Sequence, residues 1–465
     1  MKWVIFGVFI GATALLLLDL ATMPKPQYEG VAQLVWATDG NPAREEQMAM
    51  FKDWHLKTYG QKIDIRIDPS NAGREKVVIQ SAAGVGPDLF DMYGSTDIER
   101  LVKSGIILDV TDEAKKHGFA KEAIWPGIWP SFVYEGRQYG APTNAGSFVI
   151  LFNKKLFDAE GVPYPEPASW TWTQFLEVAQ KFTHKRPDGT MQFGMLEVDP
   201  IQLIYQNDGR IFTPDGTRCI ADSPDAIEAM QFYYDLRYKY HVMPTSSDIQ
   251  SMTAAGGWGG SVNTFSNDHF AMTSGARWWL TGYVRDTRKA MESGKPSPFK
   301  LGAAPLPYFK HPAGLTQSRC TGINRTSKNV KYALRFLEFL ASEPYNRQIN
   351  SSYDAFAPMI KYDTGPEGVT AGPPPPSGLE IANSPLWIKS MRVSRDVEIS
   401  PFLPPFRFQR LWKEQTDLLV AQKCTAAAMM KTFTRLVNNE IQVNLAHDAK
   451  LRARYDAAVA KESVR

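Results

Sequence analysis

The strongest constraint on the fold is the alternation of strands and helices in the first part of the chain. Ile63, Ile65 and Ile67 alternate with polar residues, the pattern of a half-buried strand. The predicted elements are a strand over Val31–Thr38, a helix over Asn41–Gly60, a strand over Ile63–Ile67, a helix over Arg74–Ala83, a strand over Pro87–Tyr93 and a helix that begins at Ser95. This order indicates an α/β fold with a mainly parallel sheet.

The chain is too long for a single hydrophobic core. It has 465 residues, whereas single cores stop growing near about 250–300 residues. The strand–helix pattern breaks at a Gly/Pro-rich stretch near 141–147 and then restarts, and prolines cluster again near 296–307. We therefore predict two discontinuous lobes, one formed by 31–141 and 300–350 and the other by 146–295 and 358–465. The chain would cross between them at 142–145, 296–299 and 351–357.

The N-terminus forms a separate unit that predicts export. Lys2 precedes an apolar run, Trp3–Leu18, of about 16 residues, short for a bilayer span and long for the core of a secretory signal. Residues 1–23 are either a cleaved signal peptide or an apolar membrane-anchoring helix, and 24–30 form a linker. Both interpretations place the body of the chain in the periplasm or another extracytoplasmic space, with anchoring through residues 3–18 in the second case.

Several functional classes have no support in the sequence. The net charge is +3 without a basic run, so we expect no nucleic-acid binding. Local motifs of hydrolases, zinc proteases and nucleotide-binding loops are absent. The seven histidines are dispersed, and Cys219, Cys320 and Cys424 form no CxxC pair, so we expect no metal and no cofactor. Carboxylates that meet only in space leave an exported carbohydrate-active enzyme open as an alternative.

Short segments in a consistent order resemble the extracellular solute-binding proteins of ABC importers, family 1, which includes maltose-binding protein. They are Leu34–Trp36, Glu75–Asp91, Leu101–Thr111, Tyr139–Pro142, Leu151–Phe157, Phe270–Trp278, Leu301–Pro307 and Ser327–Asn329. Two departures are Arg319–Gly322, where the family often has two glycines, and Phe265–Met272, which lacks the usual Gly-Lys. The resemblance implies a type II periplasmic-binding-protein fold of two lobes, a solute in the cleft between them, an ABC permease as partner, and a monomer without enzymatic activity.

Candidate ligand residues follow from the chemistry of sugar binding. Aromatic rings cover the apolar face of a pyranose, and carboxylates, amides and arginines bind its hydroxyls. Trp278 stands where the family's aromatic residue often meets the ligand, and Trp258 is flanked by glycines. The full candidate set is Trp36, Asp39, Asp88, Ser95, Asn144, Trp258, Arg277, Trp278 and Arg319. Each tryptophan could instead pack in a core, and each polar residue could instead cap a helix or turn.

The resemblance favours a mono- or oligosaccharide as the solute. The same fold binding a glycerol phosphodiester, a polyamine or a peptide is the main alternative. An arginine-rich cleft would favour an anion, and an acidic cleft would favour a cation.

Overall fold

The computed structural model describes residues 31–41, 43–69, 74–165, 169–252, 265, 268–363, 368 and 374–462. The predicted signal peptide or anchor, residues 1–23, and the linker, 24–30, lie outside this range, as does the predicted N-terminal apolar helix. No helix in the described part of the chain is both long and apolar enough to cross a membrane.

Most described strands belong to one sheet that runs through both lobes. The strands are β1 (Ala32–Ala37), β2 (Ile63–Asp68), β3 (Leu89–Tyr93), β4 (Val133–Tyr134), β5 (Arg137–Gln138), β6 (Ala141–Asn153), β7 (His184–Lys185), β8 (Met191–Met195), β9 (Phe270–Ala276), β10 (Leu301–Ala304), β11 (Gly314–Ile323) and β12 (Ser394–Arg395). The sheet order is β2-β1-β3-β11-β6-β9-β8-β7, with β10 beside β6 and β12 beside β11. β4 and β5 form a separate hairpin.

Helices cover the sheet and form a large C-terminal part. They are α1 (Ala43–Tyr59), α2 (Arg74–Ala82), α3 (Ser95–Lys103), α4 (Thr111–Lys116), α5 (Lys154–Glu160), α6 (Trp172–Lys181), α7 (Pro200–Gln206), α8 (Pro224–Tyr238), α9 (Ser246–Met252), α10 (Leu280–Glu292), α11 (Val330–Leu340), α12 (Glu343–Ser351), α13 (Ile360–Asp363), α14 (Leu386–Arg392), α15 (Pro405–Val420), α16 (Ala426–His447) and α17 (Ala449–Glu462). Short 3₁₀ turns lie at Pro126–Phe132, Arg277–Trp279 and Glu380–Asn383.

Local sequence signals explain several helix starts. Thr171 and Gln174 form a reciprocal capping box at α6. The side chains of Ser223 and Thr425 cap α8 and α16, and Pro224 occupies the first turn of α8. α17 was not predicted.

The parallel first-lobe sheet agrees with the prediction. β1 pairs in parallel with both β2 and β3. The Gly/Pro-rich stretch 141–147, where the strand–helix pattern breaks in the sequence, is the start of β6: it pairs with β11, and the second half of β6 pairs with β9. β6 is therefore one continuous strand that joins the two lobes. Its neighbour β11 supplies hydrogen bonds to the segment 141–147, although the composition of that segment is typical of a loop.

The other two crossings lie beside β6, and one differs from the prediction. β11 carries the second crossing, since it pairs with β12, β6 and β3 along its length. We had predicted this crossing at 296–299. β10, which we expected in the first lobe, pairs with residues 150–153 of β6 in the second lobe. The segment 351–357, which we predict to be the third crossing, contacts β6 where Phe356 and Ala145 exchange two backbone hydrogen bonds of 3.1 and 2.8 Å.

Two hydrophobic clusters form the core. One surrounds the first-lobe strands and includes Trp36, Phe51 and Phe336, and it continues past the crossing strands to Trp387. The other fills the second lobe around Trp172 and the apolar face of α16. The crossing strands are thus packed against buried side chains on both lobes, which fixes their register.

Candidate functional site

The carboxyl ends of strands from both lobes converge on one stretch of β6. In the first lobe, Tyr93 at the end of β3 lies opposite Arg319 of β11, which lies opposite Asn144 of β6. In the second lobe, Ala276 at the end of β9 lies opposite Phe148 of β6, and β8 runs parallel to β9. Asn144 and Phe148 are roughly 13 Å apart along a strand. Open α/β sheets bind ligands outside the carboxyl ends of their strands, so this stretch is the candidate site.

A row of polar side chains shares one face of the crossing strands here. Directly opposed residues in an antiparallel pair lie on the same face, as do residues two apart in one strand. Tyr93, Arg319 and Asn144 are opposed, and Gln317 lies two residues before Arg319. The indole N–H of Trp278, from the second lobe, donates to Gln317 Oε1 at 3.1 Å. We define the cleft face as Asp39, Tyr93, Asn144, Gln317 and Trp278.

Asp39 follows β1 and is the carboxylate of this face. Its oxygens accept from Arg44 Nε at 3.1 Å, Arg319 Nη1 at 3.1 Å and the Tyr93 hydroxyl at 3.0 Å. Burial alone would raise the pKa of Asp39, but Arg319 and Arg44 outweigh it and hold that pKa well below its usual range. The side chain remains 28% exposed. Asp39 is therefore an ionised hydrogen-bond acceptor that a solute can reach.

Arg319 lies beneath the cleft face. Its side chain is 1% exposed, and its Nε lies 2.8 Å from Thr143 Oγ1 and 3.3 Å from Asp91 Oδ2. Its backbone N–H donates to Asn144 Oδ1 at 2.8 Å. Burial alone would lower the pKa of Arg319. The charge of Asp91, together with neighbouring tyrosines and Asp39, outweighs burial and raises that pKa. The guanidinium orients the site from below instead of forming its surface.

Three predicted ligand residues occupy structural positions. Trp36 is 0% exposed, packs on Phe336 with ring centroids 5.0 Å apart, and donates to Asp91 at 2.9 Å. It is buried because Leu34 and Trp36 share the face of β1 that points into the core, whereas Gln33 and Val35 on the other face are less covered. It therefore offers no ring face to a solute in this structure.

Asp88 and Arg277 also differ from the expectation. Asp88 precedes the amino end of β3, away from the cleft face, and accepts from the Val35 backbone N–H at 2.8 Å. Arg277 is 1% exposed and donates to the backbone carbonyls of Ala382, Ala355 and Asn350. Both side chains satisfy internal hydrogen bonds.

The remaining predicted residues divide as follows. Asp39, Asn144 and Trp278 come together on the cleft face, with Arg319 behind it. Ser95 begins α3 directly after Gly94, whose φ of 71° permits the sharp turn out of β3; the Ser95 side chain lies outside the described part of the structure. Trp258 also lies outside the described residues.

Sequence reasoning missed Tyr93, Gln317 and Arg44. Tyr93 had a signal, because it is the last residue before the glycine that ends a strand. Gln317 could have been found from its spacing of two from Arg319. Arg44 had no such signal, since a cation in the first turn of a helix opposes the helix dipole and only the tertiary contact with Asp39 accounts for it.

Comparisons with known proteins agree with this architecture. A sequence model of the family described as bacterial extracellular solute-binding protein matches residues 41–347. The diacetylchitobiose-binding protein DasA of Streptomyces coelicolor is 28% identical over 136 residues, 29% of this chain and 31% of that protein. The chain thus aligns with about a third of that relative's length.

A second relative matches over a longer range. The arabinooligosaccharide-binding protein of Bacillus subtilis is 24% identical over 333 residues, 69% of this chain and 72% of that protein. Among solved structures, an ABC substrate-binding protein of Listeria monocytogenes in complex with cycloalternan superposes with a TM-score of 0.72 at 17% identity, covering 89% of this chain and 99% of that one. At this identity the structural match establishes the two-lobed fold.

Proposed function

Because the chain belongs to the bacterial extracellular solute-binding protein family, we propose that it captures an oligosaccharide outside the cytoplasm and delivers it to an ABC permease. The observation that carries the proposal is the cleft face, where Trp278 of the second lobe donates to Gln317 of β11 and Asp39 of the first lobe accepts from Tyr93. The relatives described as binding diacetylchitobiose and arabinooligosaccharides support a carbohydrate.

The groups on the cleft face are sufficient for sugar binding at useful affinity. An indole that covers about 50 Å² of a pyranose contributes on the order of 1 kcal/mol. Each hydrogen bond between a hydroxyl and an ionised group contributes roughly 1.5–3 kcal/mol. Together with amide contacts from Asn144 and Gln317, several such terms reach the roughly −8 kcal/mol of micromolar binding. Closure of the lobes would then enclose the solute from both sides.

The partners and location follow from the family and remain part of the proposal. The protein acts as a monomer in the periplasm or a comparable extracytoplasmic space and presents its loaded cleft to the permease. Residues 3–18 supply export, either as a signal peptide or as an anchor. An intact mass of the exported protein distinguishes the two, because cleavage removes roughly the first 23 residues.

A binding panel tests the function directly. The exported protein is screened by thermal shift and calorimetry against diacetylchitobiose, arabinotriose, maltotriose, glycerophosphocholine and spermidine. We expect at least one oligosaccharide to raise the melting temperature and to bind without release of reducing sugar. Asp39→Ala should weaken that binding by about tenfold or more, the loss of one charge-assisted hydrogen bond.

A matched control separates loss of the site from a general effect of removing a carboxylate. Asp53 pairs with Lys57 on the exposed side of α1, with its side chain 61% exposed, and Asp53→Ala should leave affinity unchanged. Binding confined to glycerophosphocholine or spermidine would replace the carbohydrate with one of the alternative solutes. Turnover of an oligosaccharide would favour the enzyme alternative.

A further inference from the structure

Only one member of the charged group around Asp39 is accessible to a solute. The side chains of Arg44 and Arg319 are 2% and 1% exposed, whereas that of Asp39 is 28% exposed. Direct contact between either guanidinium and a solute would require the surrounding structure to move. The two arginines therefore act, if they act at all, through the carboxylate that they hold.

The contacts fix both the position and the plane of that carboxylate. Arg44 approaches from the side, with Nε 3.1 Å from Oδ1 and Nη2 3.4 Å from Oδ2 of Asp39. Arg319 Nη1 and the Tyr93 hydroxyl reach Oδ2, and the Asn41 backbone N–H reaches Oδ1 at 3.2 Å. Donors from α1, β3 and β11 thus converge on one carboxylate, whose side chain remains 28% exposed.

Arg44 also joins this carboxylate to the third crossing. Its Nη2 lies 3.5 Å from Oδ2 of Asp354, which is 6% exposed and belongs to the segment 351–357. Two residues later, Phe356 is hydrogen-bonded to Ala145 in the middle of β6. The buried guanidinium of Arg44 thus contacts both Asp39 and a residue of the segment 351–357.

We propose that Arg44 and Arg319 are positioning residues, which orient the Asp39 carboxylate for the solute and connect it to the third crossing through Asp354. This inference rests on the proposed function for its biological meaning, but the arrangement itself does not depend on the identity of the solute. The charged and titratable groups that face Asp39 or its two arginines are Arg44, Arg319, Tyr93, Tyr345, Asp91 and Asp354.

A titration without any solute tests the positioning role. In protein labelled with ¹³C at the aspartate carboxyl, the resonance missing from Asp39→Asn identifies Asp39. We expect it to stay at the ionised position from pH 7 to about pH 3 in the natural protein. In Arg44→Gln and Arg319→Gln its midpoint should rise toward the ordinary value of about 4. An unchanged titration in both variants would overturn the proposal, whatever the protein binds.

Binding of maltotriose at pH 7 and about pH 3.5 provides the second measurement, with any better oligosaccharide from the panel added beside it. The natural protein should bind equally at both values, whereas Arg319→Gln should bind about tenfold more weakly at pH 7 and about fourfold more weakly again at the lower pH. Arg44→Lys, which keeps the charge but loses the side-on pair, should retain the pH-independent binding at reduced affinity. Arg44→Lys also tests the positioning role if Arg319→Gln does not fold.

The outcomes distinguish the two proposals. If no carbohydrate binds the natural protein, the proposed function fails while the titration still decides the role of the arginines. If the arginine variants bind with natural affinity at both pH values, the positioning role is wrong even though the protein binds sugar. Arg285→Gln, which changes an exposed arginine of α10 paired with Asp286, is the matched control and should alter neither measurement.

Discussion

Two buried arginines flank the central crossing strand β6, and they have different partners. Arg319, on β11, meets the carboxylates of Asp39 and Asp91. Arg277, at the end of β9, donates only to backbone carbonyls among its hydrogen-bond partners in the described structure, at Ala382, Ala355 and Asn350. The first set of contacts includes Asp39 on the cleft face. The second connects Arg277 to the carbonyl of Ala355 in the segment 351–357.

The carboxyl groups near the two arginines, Asp39 and Asp363, have pKa values shifted in opposite directions. Beside Arg319, the pKa of Asp39 lies well below its usual range, because two arginines outweigh the effect of burial. Near Arg277, burial raises the pKa of Asp363 to about 7, and hydrogen bonds from Trp125, Asn350 and Ala357 together with Arg277 offset it only in part. Arg319 and Arg44 thus keep Asp39 ionised, whereas Arg277 offsets the effect of burial on Asp363 only in part.

The largest expected effect is on stability, from Arg277→Met. Three buried carbonyls would lose their donor, and each unsatisfied group costs roughly 1–3 kcal/mol. We expect the free energy of unfolding in urea to fall by about 3 kcal/mol or more. Arg285→Met, on an exposed side chain, should change it by less than about 0.5 kcal/mol. A loss below about 1 kcal/mol for Arg277→Met would mean that the carbonyls find other donors.

The second prediction concerns pH and Asp363. Its folded pKa of about 7 exceeds the ordinary 3.8, so its contribution to stability is complete below pH 4 and is lost as pH rises to 7. Between pH 5 and 7 this loss amounts to on the order of 2 kcal/mol. Asp363→Asn cannot titrate, so its urea stability should fall less over that interval than that of the natural protein.

The exposed Asp53→Asn serves as the control for this measurement. It should show the same pH dependence as the natural protein, because its carboxyl is largely exposed. If Asp363→Asn and the natural protein lose the same stability between pH 5 and 7, the raised pKa is wrong and the two arginine clusters are more alike than their contacts indicate.

The sequence could predict the scaffold much better than the chemistry of these clusters. Alternating isoleucines and helix start signals are local, and they located the first three strands and the first three helices. The clusters depend on register, since Arg319 and Asp39 are 280 residues apart. The sequence does not distinguish Arg277 from Arg319, whereas the family resemblance favours Trp278 over Trp36 as a ligand residue. The packing of Trp36 against Phe336 shows that Trp36 belongs to the core.

The third prediction separates the cleft face from the crossing it adjoins. Trp278 follows Arg277 directly but is only half-buried, with its indole N–H on Gln317. Trp278→Ala should weaken oligosaccharide binding by about five- to tenfold, the equivalent of roughly 1 kcal/mol of stacking. Its effect on urea stability should be much smaller than that of Arg277→Met. Equal affinity in Trp278→Ala and in a Tyr164→Ala control, at an exposed ring of the second lobe, would remove Trp278 from the site.

The smallest effect is expected from a third arginine, which joins the lobes at the surface. Arg454 of α17 pairs with Glu135 in the β4–β5 hairpin, and the side chains are 39% and 47% exposed. Water and salt screen such a pair, so its coupling energy should be about 0.2–1 kcal/mol. A double-mutant cycle with Arg454→Ala and Glu135→Ala, measured by urea unfolding at 50 mM and 500 mM salt, gives that energy directly. It should shrink at high salt, whereas the deficit of Arg277→Met should persist because its partners are buried and uncharged. A coupling above about 2 kcal/mol would instead rank the surface contact with the buried ones, and burial would no longer explain the order of these effects.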